Sequence, residues 1–218
     1  MMPFARDKRE QHDVPTRNRD DVELLARDPA FESYFHIGRY RLRHRLFAGS
    51  WSGEGVCVVR EVFERGHAAA LLPYDPLRDK VVLIEQFRIG AYAAREPTWL
   101  TEVVAGIIED GETPADVARR ETAEEAGLEI AALESIATFF VSPGGTAQAT
   151  ALFVDRVNSG IAGGIHGPDH KNEDIRVTAM SFDEAMAICA EGRIREAATV
   201  IALQWLALNR EKLRAMWR

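Results

Sequence analysis

The stretch GIIEDGETPADVARRETAEEAGL, residues 106–128, decides how this chain is interpreted. Thr113 can cap a helix, Pro114 suits the first helical position, and Gly127 suits a helix end. This spacing predicts a helix over 114–126 that begins after a loop and stops at a glycine.

Three carboxylates share one face of this predicted helix, because Glu121, Glu124 and Glu125 are three and four residues apart. Like charges at this spacing cost a few tenths of a kcal/mol per pair. They also lie near the helix C-terminus, where the macrodipole disfavours anions. A bound Mg²⁺ would offset both penalties, since hard divalent ions prefer oxygen ligands and share their shell with substrate phosphates. The alternative is a solvated acidic face whose glutamates pair with Arg119 and Arg120.

Composition limits the classes of function. The chain has 218 residues, 27 basic and 34 acidic side chains, and a net charge of −7, which argues against nonspecific binding of nucleic acid. It has no apolar run long enough to span a membrane, and its first twenty residues lack a secretory signal. Cys57 and Cys189 are too few for a disulfide framework. These features predict a cytoplasmic protein, and the length allows one sizeable core or a small domain attached to a larger one.

The remaining hydrophobic pattern predicts an α+β fold in which strands dominate the first two thirds. Two more helices are predicted, one from Ser181 to Gly192 and one over 197–209. A polar, glycine-rich loop is predicted over 159–174. Strands are predicted over 34–47, 56–63, 67–74, 80–87, 99–105, 136–141, 149–157 and 175–180.

The motif resembles the Nudix box, which has glycine, glutamate, Arg-Glu, Glu-Glu and glycine at fixed spacing. The matching residues are Gly106, Glu112, Arg120, Glu121, Glu124, Glu125, Gly127 and Leu128. Thr122 departs from the usual aliphatic residue, which we interpret as a minor change in packing. The resemblance implies a Nudix fold, with a mixed β-sheet flanked by helices as an α/β/α sandwich. It also implies hydrolysis of nucleoside diphosphate derivatives that depends on Mg²⁺ or Mn²⁺.

By this resemblance, the metal ligands would be the carboxylates of Glu121, Glu124 and Glu125 and the backbone carbonyl of Ala105. Glu112 would pair with Arg120 or bind a further ion. The chemistry requires such a set, because pyrophosphate hydrolysis needs an activated water and neutralised phosphate charge.

The resemblance extends along nearly the whole chain to the ADP-ribose pyrophosphatase subfamily. It implies a homodimer formed through an N-terminal antiparallel β region, residues 1–60, followed by a Nudix domain, residues 61–218. It also implies cleavage of ADP-ribose to AMP and ribose 5-phosphate. The segments that carry it are 43–47, 63–69, 82–86, 142–146, 164–167, 172–176 and 200–206.

The substrate-binding residues implied by analogy are Arg60, Arg88, Glu102, Gly144, Gly145 and Tyr34, with Phe35 as an alternative to Tyr34. The arginines would meet the diphosphate or ribose, since a diphosphate favours bidentate cations. The alternatives are that both arginines are solvated strand residues and that the aromatic side chains belong to the core.

The general base is expected in the loop before residue 175, and Glu173 is our choice over Asp174. It would act with Glu125 and Arg120 as the catalytic set. Relatives carry an acidic residue where this chain has Lys171, and Ser-Glu where it has Ala147-Gln148. These departures leave open another nucleoside diphosphate sugar or a dinucleotide as substrate. A nucleotide-sensing domain without turnover is a further alternative, which the complete set of box glutamates disfavours.

Overall fold

The computed structural model describes residues 17–53, 57–168 and 173–217. The chain divides into two units, Met1–Glu64 and Arg65–Arg218. The boundary expected between residues 60 and 61 falls inside a strand that pairs within the first unit.

The first unit contains a three-stranded antiparallel sheet. Its strands are β1, Val22–Glu32, β2, His36–His44, and β3, Val58–Phe63. The expected strand over 34–47 is therefore shorter, and β1 was not predicted, because most of its side chains are exposed and show no alternation. A single 3₁₀ turn, Arg19–Asp21, precedes the sheet.

The second unit is built on a mixed sheet of eight strands, in which β4 and β9 are parallel and the other pairs antiparallel. The order is β10-β11-β5-β4-β9-β8, with β6 paired to β5 and β7 paired to β4. The strands are β4, Ala68–Asp75, β5, Lys80–Phe87, β6, Trp99–Glu102, β7, Val104–Ile107, β8, Glu134–Phe140, β9, Ala149–Arg156, β10, Gly164–His166, and β11, Ile175–Ser181.

Helices cover both faces of this sheet. They are α1, Ile89–Ala93, α2, Pro114–Ala126, α3, Phe182–Ala190, and α4, Ala197–Met216. Alternate residues of β5 belong to different cores: Leu83 packs in the cluster that contains residues of α3 and α4, whereas Ile84 packs in the cluster that contains the end of α2. This arrangement confirms the predicted α+β fold, a mixed sheet between helices.

The structure corrects the predicted strand over 99–105. That segment divides at Val103 into β6 and β7, which pair with different strands. A residue distant in sequence stabilises this break: the Val103 backbone N–H donates to Thr199 Oγ1 at 2.8 Å. The predicted loop over 159–174 contains the short strand β10, and α4 continues past residue 209.

Within the described ranges, every helix is too short or too polar to cross a lipid bilayer.

Candidate active site

Helix α2 begins and ends at the residues expected from the sequence. The Thr113 hydroxyl accepts a hydrogen bond from the Asp116 backbone N–H at 3.2 Å, and Asp116 Oδ2 accepts from the Thr113 backbone N–H at 3.0 Å. Gly127 follows the helix in the left-handed region, with a φ of 62°. These two ends fix the register of the helix and therefore the face that carries its carboxylates.

The acidic face of α2 is buried rather than solvated. Glu121 is 7% exposed and Glu125 is 4% exposed, while Glu124 is half-buried. A Cβ on Gly106 would overlap the Glu121 carboxylate, so the glycine opening the motif leaves the space that this carboxylate occupies. Thr122 is fully buried, and its hydroxyl donates to the Ala118 carbonyl at 2.7 Å. The departure at Thr122 is thus accommodated within the packed side of the helix.

Glu125 lies against the strand that enters the motif. Its carboxylate accepts a hydrogen bond from the Ala105 backbone N–H at 3.1 Å. Burial raises the pKa of Glu125 to about 8, and the negative charges of Glu121 and Glu173 act in the same direction. The Ala105 hydrogen bond and the charge of Arg88 oppose this rise. A buried carboxyl among like charges is the environment that a bound cation would stabilise in its ionised form.

Arg120 joins the loop before α2 to the acidic face. Its Nε donates to Glu112 at 2.8 Å, and its Nη1 donates to Glu121 at 2.6 Å. The hydrogen bonds from Arg120 lower the pKa of Glu112. Within residues 17–53, 57–168 and 173–217, no three His, Cys, Asp or Glu side chains form a ready metal cluster. Two of the carboxylates have partners within the protein, Glu121 with Arg120 and Glu125 with the Ala105 backbone N–H.

The donor chemistry nevertheless fits a hard divalent ion. Glu121, Glu124, Glu125 and the Ala105 backbone offer carboxylate and carbonyl oxygens from one helix and the adjoining strand, which are the ligands Mg²⁺ prefers. Gly106 contributes indirectly, because its lack of a Cβ lets the Glu121 carboxylate lie against the strand that leads into the motif.

Arg88 and Glu102 form an ion pair at the other edge of this region. Arg88 Nε lies 3.0 Å from both Glu102 carboxylate oxygens, and the Glu102 side chain is 4% exposed. Burial raises the pKa of Glu102, and the Arg88 guanidinium counteracts that effect. Arg88 is therefore not an unpaired solvated residue, and its guanidinium is oriented by a buried carboxylate.

Glu173 lies close enough to Glu125 for its charge to raise the pKa of that residue. Its Oε2 is buried, and no hydrogen-bond partner for this atom occurs among the described residues. Asp174 is exposed. Lys171, where an acidic residue was expected by analogy, lies outside the described residues.

The loop after β8 exposes the backbone of Gly144 and Gly145. A Cβ at either glycine would meet no atom within 4 Å, so nothing in the described structure blocks a ligand from approaching them. Gln148 is 8% exposed and its backbone N–H donates to the Thr146 hydroxyl at 3.2 Å. The Ala147-Gln148 departure thus lies directly beside this loop.

Tyr34 and Arg60 belong to the first unit. Tyr34 is 89% exposed and contacts Phe35 edge to face, so the alternative that Tyr34 is a core residue is wrong. Arg60 is exposed, and its guanidinium donates to the Val59 carbonyl at 2.7 Å. Their roles in substrate binding stay predictions.

Two features of the site were not predicted. Gln86 shares a sheet face with Glu102, is 6% exposed, and has no hydrogen-bond partner for its Nε2 among the described residues. A polar residue in a buried strand, two residues before Arg88, was the sequence feature that could have identified Gln86. His166 packs against Gly127, at the end of α2, a contact between distant segments that residue spacing does not reveal.

Comparisons with known proteins agree with this geometry. The NUDIX domain family matches residues 64–201. The chain is 50% identical over 202 residues to an ADP-ribose pyrophosphatase of Escherichia coli strain K12, covering 93% of this chain and 95% of the relative. It is 36% identical over 198 residues to a GDP-mannose pyrophosphatase of Cronobacter sakazakii, covering 87% and 96% respectively. A solved structure described as an ADP compounds hydrolase shares the fold, with a TM-score of 0.67, 19% identity, and coverage of 93% of this chain and all of that one.

Proposed function

Since the chain belongs to the Nudix family of pyrophosphohydrolases, we propose that it hydrolyses the pyrophosphate bond of ADP-ribose to AMP and ribose 5-phosphate. The structural observation that carries this proposal is the set of buried carboxylates on α2, beside the glycine that leaves room for Glu121. The extensive identity to a relative of that activity supports the choice of substrate.

We propose Mg²⁺ as the cofactor, with Mn²⁺ as a substitute. Glu121, Glu124, Glu125 and the Ala105 carbonyl would hold it, and Glu112 either holds Arg120 or contributes to a further ion. When bound, the metal would supply phosphate neutralisation and activation of water. The first role of Glu112 is favoured by the contacts of Arg120, which donates to both Glu112 and Glu121.

Arg88 is our choice for the diphosphate contact in the second unit. Arg88 donates to Glu102 from both Nε and Nη2, and this two-point contact limits the conformational freedom lost when a second anion binds. Arg60 and Tyr34 would contribute the remaining diphosphate or adenine contacts, and Gly144 and Gly145 would approach the terminal ribose through their open backbone.

Glu173 is our choice for the general base. Its buried and unpartnered Oε2, within the described part of the chain, is suited to accept a proton from an attacking water. Replacing Glu173 with glutamine should lower kcat by about 10²–10⁴-fold with little change in KM. The matched variant Asp174→Asn should retain activity; a mild effect of Glu173→Gln together with a large effect of Asp174→Asn would transfer the role to Asp174.

A second substrate class is favoured by two observations. A relative acts on GDP-mannose, according to its name, and Ala147-Gln148 departs from the expected Ser-Glu beside the ribose-facing loop. The test is a product assay with Mg²⁺ on ADP-ribose, GDP-mannose, NADH and a diadenosine compound. Preferred release of AMP and ribose 5-phosphate supports ADP-ribose hydrolysis. Preference for another compound would reassign the substrate, and binding without turnover would indicate a sensing domain.

We also propose a cytoplasmic homodimer. The described cysteines, Cys57 and Cys189, are free thiols, which suits a reducing compartment. The sheet of the first unit exposes several large apolar side chains, which suits burial against a second copy of the chain. Among them are Val22, Leu24, Leu25, Phe31, Phe35 and Val59.

A further inference from the structure

Gly167 lies against the backbone of the proposed base. Its φ is +107°, and a Cβ at this position would come within 2.6 Å of the Glu173 carbonyl oxygen and 2.9 Å of the Glu173 Cβ. Real Cβ atoms essentially never approach so closely, and the atoms concerned are backbone or attached directly to it. A side chain at Gly167 would therefore have to displace the segment from which the Glu173 carboxylate projects.

The preceding residue fixes the same segment to the end of α2. A Cβ on Gly127 would lie 2.6 Å from Cε1 and 3.1 Å from Nδ1 of the His166 ring, so this ring lies directly on the helix end. His166 Nε2 also lies 2.8 Å from the Gly163 carbonyl oxygen. Strand β10 pairs His166 with Ile175, two residues after Glu173. The metal-binding helix and the segment with the base thus meet through His166 and Gly167.

The chain contains a contrast at another glycine of the second unit. Gly192, which follows α3, also has a positive φ, +71°, but a Cβ there would meet no atom within 4 Å. An alanine would therefore strain the backbone at either glycine, but only the alanine at Gly167 would also collide with Glu173.

We propose that Gly167 and His166 are positioning residues, which hold Glu173 at the C-terminal end of the carboxylate helix α2. This inference rests on the proposed role of Glu173 in hydrolysis. His166 sets the distance between β10 and α2, and Gly167 permits the Glu173 backbone to pass at contact distance. Neither residue is expected to contact the substrate.

The first experiment compares Gly167→Ala with Gly192→Ala in the full chain, using ADP-ribose and Mg²⁺. Gly167→Ala should lower kcat on the order of 100-fold with KM nearly unchanged, because a displacement of about 1 Å costs that much when a reacting group is misplaced. Gly192→Ala should keep kcat within about 3-fold, although the positive φ at this position should lower Tm as well. Equal kcat losses in both variants would overturn the proposal, because strain would then account for them.

A double-mutant cycle distinguishes positioning from a general structural effect. Combining Gly167→Ala with Glu173→Gln should give the kcat of Glu173→Gln alone, since the glycine acts only through that carboxylate. A full further loss in the double variant would contradict the proposal. If Gly167→Ala does not fold, His166→Ala takes its place in the cycle, and its kcat is compared alone and combined with Glu173→Gln.

The kcat values of these variants distinguish a failure of the positioning role from a failure of the proposed reaction. A strong effect of Glu173→Gln with wild-type kcat in Gly167→Ala and His166→Ala would refute the positioning role alone. A mild effect of Glu173→Gln would refute the assignment of the base, and the positioning role with it. Absence of turnover by the unmodified chain would refute the proposed reaction.

Discussion

Replacing Asp75 with asparagine should lower the free energy of unfolding by about 2.5 kcal/mol at pH 7, and by only about half that amount at pH 3. Asp75 ends β4 and is 1% exposed. Its carboxylate accepts hydrogen bonds from the Arg78 backbone N–H at 3.0 Å, the Ser159 backbone N–H at 2.9 Å and the Ser159 hydroxyl at 2.7 Å. It therefore joins the β4–β5 turn to the segment after β9.

The magnitude follows from the pKa of this carboxyl. Burial acts to raise the pKa of Asp75, but the hydrogen bonds from Arg78 and Ser159 outweigh it and lower the pKa from 3.8 to about 2. A depressed pKa in the folded state stabilises the protein fully above the unfolded value of 3.8, and the contribution is lost as the pH falls through about 2. At about 1.36 kcal/mol per pKa unit, the contribution at pH 7 is about 2.5 kcal/mol.

The assay is urea unfolding at pH 7 and pH 3, followed by tryptophan fluorescence. The difference between the original protein and Asp75→Asn should shrink by about 1 kcal/mol between the two pH values. Asp110→Asn is the matched control, since Asp110 is exposed, and it should change the unfolding free energy little at either pH. A destabilisation by Asp75→Asn that is equal at both pH values would refute the reasoning.

Two further predictions concern the metal site and the assembly. Gly106→Ala should raise the Mg²⁺ concentration for half-maximal rate at least about 10-fold, because its Cβ would displace the Glu121 carboxylate. Gly90→Ala is its control, since Gly90, like Gly106, has no positive φ but has no atom within 4 Å of the added Cβ. Equal effects of the two variants in a Mg²⁺ titration would contradict the argument. Leu24→Glu, at a side chain that is 54% exposed, should convert a dimer to a monomer in light scattering, whereas Leu77→Glu, at 66% exposure in the other unit, should not. A monomeric starting protein, or a dimer that survives Leu24→Glu, would contradict the proposed interface.

The bounds of the carboxylate helix could be predicted because local chemistry determines them. Thr113, Pro114 and Gly127 specify the ends of α2 without information from elsewhere in the chain. The strand β5 was likewise predicted with the bounds 80–87 that the structure has, because an uninterrupted Val- and Ile-rich run is bounded by turn residues.

Features that depend on distant partners could not be predicted in this way. The division of β6 from β7 depends on Thr199, and the orientation of Arg88 depends on Glu102. Strand β1 showed no alternating pattern, because a sheet that exposes both apolar and charged residues lacks a single buried face. His166 contacts Gly127 although the two residues are far apart in the sequence and belong to no common motif.

The central claim is that the buried carboxylates of α2 support metal-dependent hydrolysis of ADP-ribose. The most direct measurement is kcat/KM for this substrate over a range of Mg²⁺ concentrations, in the unmodified chain, in Glu125→Gln and in the exposed control Glu129→Gln. The account predicts no turnover without a divalent ion, a loss of more than about 100-fold in Glu125→Gln, and unchanged activity in Glu129→Gln. Full activity of Glu125→Gln, or turnover that persists after removal of divalent ions, would contradict it.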